Sequence, residues 1–251
     1  MSFLLIQQSY QAKLSLFLEK AGAGDWINDC LAKVEFAQQL ERAWGCSDFA
    51  ADQAIGDPQG FRQLVESGDL ERTYSKTTLL KSLQQNISVM PKDDEKALSM
   101  QLRLFRQREM QRIIWRDLNR LADLTETTRD VTLLAEACIN VALDYLHPMV
   151  AKDMGKPLDS DGNEQKLLVI AMGKMGGGEL NLSSDIDLIF AYPEAGETES
   201  AKRSVSNQQF FERLGQKLIA SLDAQTVDGF VFRVDIRLRP YGQSGPLVQN
   251  F

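Results

Sequence analysis

Residues 173–190 read GKMGGGELNLSSDIDLIF, and this stretch decides how the second half of the chain folds. A glycine-rich turn stands shortly before two aspartates, Asp185 and Asp187, at the start of an apolar run typical of a strand. Successive side chains of a strand point to opposite faces, so the two aspartates share one face. Two carboxylates this close repel each other unless a cation or hydrogen bonds compensate, so the pair predicts bound Mg²⁺ or Mn²⁺.

A third carboxylate follows on a later segment, 230–238. Apolar residues alternate there with polar ones, which predicts a strand with one core face and one face carrying Asp235 among arginines. Asp235 is then a third metal ligand, or a general base, beside Asp185 and Asp187. The arginines are Arg233, Arg237 and Arg239. They suit phosphate oxygens or pairing with the acids, and we take Arg237 as a candidate for nucleotide or phosphate binding.

The glycine turn itself predicts an oxyanion site. Gly176, Gly177 and Gly178 allow backbone N–H groups to approach an anion closely, and the next residues favour a short helix whose N-terminus attracts phosphate. Ser183 and Ser184 either bind phosphate or cap a turn. No Lys-Ser or Lys-Thr follows the glycines, so the turn is not a Walker loop.

Composition excludes several classes of function. The net charge of −7 argues against a general nucleic-acid binder, which needs a basic surplus to neutralise phosphates. No run approaches the ~20 apolar residues that cross a bilayer, and the first residues show no basic region leading into an apolar segment with a cleavage site, so we expect a cytoplasmic protein without membrane contact. Three cysteines without metal-type spacing predict inert thiols, and the single histidine, His147, leaves little for histidine-based catalysis.

The pattern along the chain predicts an α+β protein with three segments: an all-α domain over 1–150, a linker or turn over 151–165 and a catalytic domain over 166–251. Helices are expected at about 3–21, 26–44, 58–67, 76–88, 92–122 and 128–150, and again at 207–222. Strands are expected at 166–172 and 185–192. The acidic linker is not a calcium loop, because Ile170 falls where the bidentate glutamate belongs.

A basic stripe is a second signal in the helical half. Arg108, Arg112, Arg116 and Arg120 recur every fourth residue, which places them on one helix face. Two interpretations stay open: a solvated or salt-bridged helix face, or a docking surface for an acidic partner.

Residues 173–190, together with RVDIRLRP at 233–240 and GPLV at 245–248, closely resemble the glutamine synthetase adenylyltransferase/adenylyl-removing enzyme family. The arginine-rich segment 104–116 is also similar to that family. The D-x-D pair by itself resembles the wider polymerase-β-like nucleotidyltransferase superfamily, so the resemblance implies a polymerase-β-like palm of mixed sheet and helices. The chain stops at Phe251, soon after the third carboxylate, so the palm is expected to be truncated at its C-terminal end.

The resemblance also implies an activity. Family members contain two nucleotidyltransferase units, of which the N-terminal one removes AMP from a glutamine synthetase tyrosine by phosphorolysis, giving ADP, and the C-terminal one adds AMP from ATP. An all-α lead followed by the glycine and D-x-D motif matches the N-terminal unit, with Asp185, Asp187 and Asp235 as metal-binding catalytic acids. Glutamine synthetase is the implied partner, with the PII protein and glutamine as control inputs. The alternatives are adenylyl transfer from ATP, or a catalytically silent fragment that docks through Arg108–Arg120.

Overall fold

A computed structural model of the chain describes residues 3–20, 24–199, 204–226 and 229–250. It divides into two compact units. The first consists of Met1–Tyr74 and Arg106–Asp130, and the second of Ser75–Phe105 and Val131–Phe251. These limits follow packing, whereas the predicted limits at 150 and 166 follow a change of sequence pattern. Much of the helical sequence therefore belongs to the same unit as the sheet.

Helices make up most of the first 154 residues. They are α1 (Phe3–Lys20), α2 (Asp25–Leu31), α3 (Val34–Cys46), α4 (Asp48–Gly56), α5 (Pro58–Glu66), α6 (Thr78–Ser88), α7 (Glu95–Leu118) and α8 (Leu124–Met154). The predicted helix 26–44 is wrong as a single element, because the chain turns between α2 and α3. The prediction also missed α4.

The limits of α4 and α5 have local causes. The Ser47 side chain accepts a hydrogen bond from the Ala50 N–H (3.2 Å), and Asp57 accepts one from the Gly60 N–H (2.9 Å). Both residues are therefore N-caps, and Pro58 occupies the first turn of α5, where its missing N–H leaves no helical bond unmade. The capping residues were visible in the sequence, and they were the signal for the missed helix.

The first unit is organised around aromatic side chains. Phe17 and Trp44 are almost fully buried, and their ring centroids lie 5.2 Å apart. Phe61 completes the group, with its centroid 5.9 Å from that of Phe17 and 5.5 Å from that of Trp44. Because these rings come from α1, α3 and α5, their burial joins three helices that are separate segments of the chain.

The basic stripe belongs to this unit, and two of its four arginines are buried there. Arg108 is about one-third exposed, and Arg120 lies beyond the end of α7 with an exposed side chain. Arg112 is fully buried, donating to Glu109 (2.9 Å) and Asp130 (2.7 Å). Arg116 is 2 % exposed and donates to Glu126 (2.7 Å). Burial alone lowers the pKa of Arg112, but the neighbouring carboxylates outweigh it and the pKa lies above its ordinary value. The docking interpretation is wrong for these two arginines, because neither guanidinium is available to a partner.

The second unit contains a four-stranded sheet with β3 at its centre. The strands are β2 (Leu168–Met172), β3 (Ile186–Tyr192), β5 (Val234–Asp235) and β6 (Val248–Asn250). β2 is antiparallel to β3, whereas β5 and β6 are parallel to β3 along its other edge. This mixed sheet with helices confirms the α+β fold class. A separate two-stranded sheet joins β1 (Lys156–Pro157) to β4 (Thr198–Glu199).

Two helical segments accompany the sheet: α9, a single turn (Gly173–Gly176), and α10 (Asn207–Asp223). A capping box between Ser206 and Gln209 starts α10. Its apolar face is buried, and a Cβ at Gly215 would lie 3.2 Å from the Phe190 ring and 3.4 Å from a Val248 methyl. The missing side chain at Gly215 therefore lets α10 lie close against β3 and β6.

The predicted strand 230–238 is wrong over most of its length. Only Val234–Asp235 pairs with β3. Val231, expected on the polar face, is fully buried, and Leu238, expected in the core, is 53 % exposed. The backbone of Val231 and Phe232 instead donates to the Leu222 carbonyl at the end of α10. Because of this contact, the backbone before Val234 does not pair with β3, although apolar and polar residues alternate there.

The predicted linker 151–165 has structure of its own. Helix α8 continues to Met154, β1 follows, and Asp159 then accepts hydrogen bonds from the backbone N–H groups of Asp161 and Asn163. These bonds close a tight turn at the position where a turn is predicted.

Among the helices that the structure describes, none is long and apolar enough to cross a membrane.

Candidate active site

The sheet places Asp187 and Asp235 side by side. Asp187 lies on β3 and is the register partner of Asp235 on β5. Neighbouring strands are about 4.8 Å apart, and residues in register share a face, so the two side chains stand on the same face of the sheet. Asp185 lies two residues before Asp187, just ahead of β3. The three carboxylates predicted from the sequence are thus brought to one end of β3.

Arg233 is the ion-pair partner of Asp185. Its Nε lies 2.5 Å from Asp185 Oδ1, and its Nη2 donates to the Ser183 carbonyl at 2.6 Å. Both charged side chains are about half exposed. One arginine therefore ties the segment before β5 to the segment before β3, which helps to hold Asp185 near the other two acids.

Arg237 is bonded to Asp235 in a fork. Its Nε lies 2.8 Å from Oδ2 and 3.1 Å from Oδ1, its Nη2 also meets Oδ2, and its backbone N–H donates to Oδ1 at 2.8 Å. These bonds hold the pKa of Asp235 below its usual value. The pKa of Arg237 is raised, chiefly by Asp235 and further by the charges of Asp187 and Asp185. Arg237 therefore interacts electrostatically with all three acids.

The glycine turn approaches the acids at a residue that sequence reasoning missed. Gly173 has φ +56°, and a Cβ there would lie only 2.6 Å from Asp187 Oδ2. A glycine is thus required at this position both by backbone conformation and by the space that the carboxylate occupies. The available signal was a glycine directly after the predicted strand 166–172.

The three glycines predicted to form an oxyanion site, 176–178, differ in backbone conformation and in the space around them. Gly176 passes so close to the Ala171 carbonyl that a Cβ would lie 2.5 Å from it, and Gly178 has φ +74°. The N–H groups of Gly177 and Gly178 donate to the carbonyls of Gly173 and Met175. The expected helix after the glycines is wrong, because the helical turn α9 comes before Gly177 and residues 179–182 are not helical. No helix N-terminus faces an anion from that segment.

Ser183 and Ser184 lie between the glycine turn and the acids. The Ser184 hydroxyl is 3.4 Å from Lys174 Nζ, a further cation that the site prediction did not include. The Ser183 carbonyl accepts from Arg233, as described above. Both serines therefore lie within a cluster of cationic side chains and acids, which suits a substrate that carries phosphate.

The donor atoms at this site fit a hard divalent cation, since all three acids supply carboxylate oxygens. In the described part of the chain, however, no group of three or more acidic, histidine or cysteine side chains is already arranged around a common metal position. Asp185 and Asp235 instead direct their oxygens at Arg233 and Arg237. The residues are of the right kind for Mg²⁺ or Mn²⁺, and arginines neutralise two of them, Asp185 and Asp235.

The motif belongs to a segment that matches a known protein family. A family model described as glutamate-ammonia ligase adenylyltransferase matches residues 37–251, a span that includes the glycine turn and all three acids. The chain belongs to that family. The resemblance stated from residues 173–190, 233–240 and 245–248 is thereby confirmed.

Curated members of the glutamate-ammonia ligase adenylyltransferase family match most of the chain. A protein of Pseudomonas aeruginosa is 53% identical over 218 residues, covering 86% of this chain and 22% of its own length. Relatives from Shewanella woodyi and Shewanella oneidensis are 47% and 43% identical and cover 95% and 99% of the chain. All three are named bifunctional glutamine synthetase adenylyltransferase/adenylyl-removing enzyme. The chain spans about a quarter of the length of these relatives.

Proposed function

We propose that this chain carries a nucleotidyltransferase site that removes AMP from an adenylylated tyrosine of glutamine synthetase by phosphorolysis. The observation that carries the proposal is the register of Asp187 with Asp235, with Asp185 two residues earlier, beside a glycine turn that closely approaches Asp187. The names of the family relatives supply the substrate and both directions of adenylyl chemistry. The organisation of helices over 1–150, a linker over 151–165 and a catalytic module over 166–251 is part of this proposal.

In this reaction an oxygen of inorganic phosphate forms a bond to the phosphorus of AMP. The bond from that phosphorus to the tyrosyl oxygen breaks, the tyrosyl oxygen takes up the proton that the attacking hydrogen phosphate loses, and ADP leaves. Phosphate needs no strong base to act as the nucleophile. The chain's task is therefore to hold two anions together and to stabilise the charge that develops between them.

The proposed roles of the side chains follow from their chemistry. Asp185, Asp187 and Asp235 would hold Mg²⁺ or Mn²⁺, which when bound neutralises charge on the phosphoryl oxygens. Arg237 would contact a phosphate group through its planar fork. Gly176–Gly178 and the two serines at 183 and 184 would border the phosphate or nucleotide.

The opposite modification, adenylyl transfer from ATP to the same tyrosine with release of pyrophosphate, would use the same charged groups. The bifunctional names of the relatives favour it as the second candidate. Glutamine synthetase is the proposed partner in either direction. PII as a regulatory partner and a cytoplasmic location are further proposals that come from the family resemblance and the sequence.

Product analysis tests the proposal directly. The chain is incubated with adenylylated glutamine synthetase, phosphate and Mg²⁺, and in parallel with unmodified glutamine synthetase, ATP and Mg²⁺. We expect ADP in the first reaction and little adenylylated glutamine synthetase in the second. Adenylylation in the second reaction with no ADP in the first would favour adenylyl transfer from ATP. Binding of glutamine synthetase without any product would favour a silent fragment.

Asp187→Asn provides the matched test of the site. This change keeps the side-chain size and removes the charge, so ADP formation should be lost while circular dichroism stays unchanged. Asp153→Asn makes the same change at an exposed position near the end of α8 and should leave ADP formation intact. Equal turnover by both variants would show that Asp187 is not part of the reaction.

A further inference from the structure

The arginine on Asp235 uses nearly all of the hydrogen-bonding capacity of that carboxylate. A carboxylate offers about four lone-pair positions. Three N–H groups of Arg237 donate to Asp235: the backbone N–H, the Nη2–H, and the Nε–H, which is shared between both carboxylate oxygens. A cation that takes Asp235 as a ligand therefore competes with Arg237 for the same oxygen atoms.

The bonds from Arg237 that a cation would have to displace are easily exchanged for bonds to water. The Arg237 side chain is 74 % exposed, although that of Asp235 is only 15 % exposed. An exposed ion pair contributes little to stability because water solvates the released arginine well. The carboxylate is thus held in place by the sheet, whereas the guanidinium group is free to move to another anion.

The charge around Arg237 indicates which anion that is. Arg237 feels Asp187 and Asp185 in addition to its bonded partner. When a divalent cation neutralises these acids, the arginine loses its counter-charges and a planar, bidentate cation remains at the edge of the site. Phosphate oxygens match that fork geometry.

We propose that Arg237 is an exchangeable counter-cation: it neutralises Asp235 while no metal is bound, and it turns to a phosphate group when a divalent cation takes the acids. Cation and phosphate then bind cooperatively, each tightening the other by the same factor. This inference rests on the proposed function, because it assumes that the acids take a metal and that the substrate is a phosphate. It goes further in assigning one side chain as the link between the two.

The test is Mn²⁺ binding to the 251-residue chain, followed by the electron paramagnetic resonance signal of free Mn²⁺, with and without inorganic phosphate. For the unsubstituted chain we expect phosphate to tighten Mn²⁺ binding by about tenfold, within the usual range for coupled sites. Arg237→Gln should bind Mn²⁺ more tightly in the absence of phosphate, by up to about fivefold, since the competing ion pair is gone. The effect of phosphate should fall to nearly nothing in that variant.

Arg239→Gln is the matched control. Arg239 stands two residues further along and donates to the Ile236 carbonyl, so its replacement changes the net charge equally without touching the acids. It should keep the phosphate effect. Weaker Mn²⁺ binding by Arg237→Gln would mean that Arg237 only positions Asp235, and an undiminished phosphate effect, or no Mn²⁺ binding by the unsubstituted chain, would equally overturn the inference.

These results separate the inference from the proposed function. ADP formation without coupling between Mn²⁺ and phosphate refutes the role of Arg237 alone. Coupling without ADP formation supports the role of Arg237 and refutes the proposed reaction.

Discussion

Gly173→Ala is the most direct perturbation of the candidate site, because it adds one methyl group beside Asp187 without changing any charge. The added Cβ would lie 2.6 Å from Asp187 Oδ2, whereas ordinary contacts begin near 3.4 Å, so the carboxylate has to move by about 0.8 Å. The φ of +56° adds a backbone penalty of about 1–2 kcal/mol for any residue with a Cβ. The variant should therefore lose stability and also displace an acid.

The displacement has a predictable effect on the reaction. Moving a catalytic group by about 1 Å costs on the order of 100-fold in rate. We expect ADP formation by Gly173→Ala to fall by about that factor, and its free energy of unfolding in urea to fall by more than the backbone penalty.

Gly162→Ala is the matched control for the backbone term. Gly162 has φ +82°, and nothing lies within 4 Å of a Cβ built there. It belongs to the same compact unit, so this variant should lose about 1–2 kcal/mol of stability and retain its rate. If Gly173→Ala is as stable as Gly162→Ala and just as active as the unsubstituted chain, the close approach of Gly173 to Asp187 is refuted.

Two further predictions concern charges. Arg112→Leu should cost about 3 kcal/mol of unfolding free energy, because it removes a buried ion-pair partner from both Glu109 and Asp130. The loss lies at the low end for a buried pair because Arg108 and Arg129 still contact those carboxylates. Arg62→Leu, which removes an exposed pair with Glu66, should cost under about 1 kcal/mol, and similar losses by the two variants in urea denaturation would contradict the buried network. The pKa of Asp235, followed by NMR, should lie below its ordinary value and rise in Arg237→Gln. Since the folded-state pKa of Asp235 is depressed, this ion pair stabilises the fold above the pKa of the unfolded chain, and only slightly because the arginine is so exposed. That contribution is lost as the pH falls through the folded pKa, so the small stability difference between the unsubstituted chain and the Arg237→Gln variant should disappear in acid. A difference independent of pH would refute the pairing.

Local patterns in the sequence were sufficient where a single element decides the outcome. The alternation around Asp185 and Asp187 predicted a strand at 185–192, and β3 occupies Ile186–Tyr192. The helical period predicted 207–222, and α10 occupies Asn207–Asp223. In each case one apolar face packs against a core, so the spacing of apolar residues carries the information.

Local patterns failed where a more distant contact competes. The alternation at 230–238 resembled a long strand, but Val231 is bonded to the end of α10 and is buried there. The arginine stripe on α7 left a salt-bridged face and a docking surface open, and only the structure shows that Arg112 meets Asp130 from α8 in the interior. Periodicity describes one element at a time and does not identify the partner that each face will meet.

The sequence by itself determined the α+β class and the family, and it singled out three acids that the sheet brings to one end of β3, because glycine turns, alternation and a long motif are local and specific. Only the tertiary structure decided that Asp187 pairs in register with Asp235, that Gly173 is the glycine against the carboxylate, and that Arg233 and Arg237 each take a different acid. Apart from the local pair of Asp235 and Arg237, these contacts join β3, or Asp185 just before it, to segments far away in the chain or beyond a turn. They depend on which backbone edges hydrogen-bond to each other, and side-chain spacing along one segment does not encode that choice.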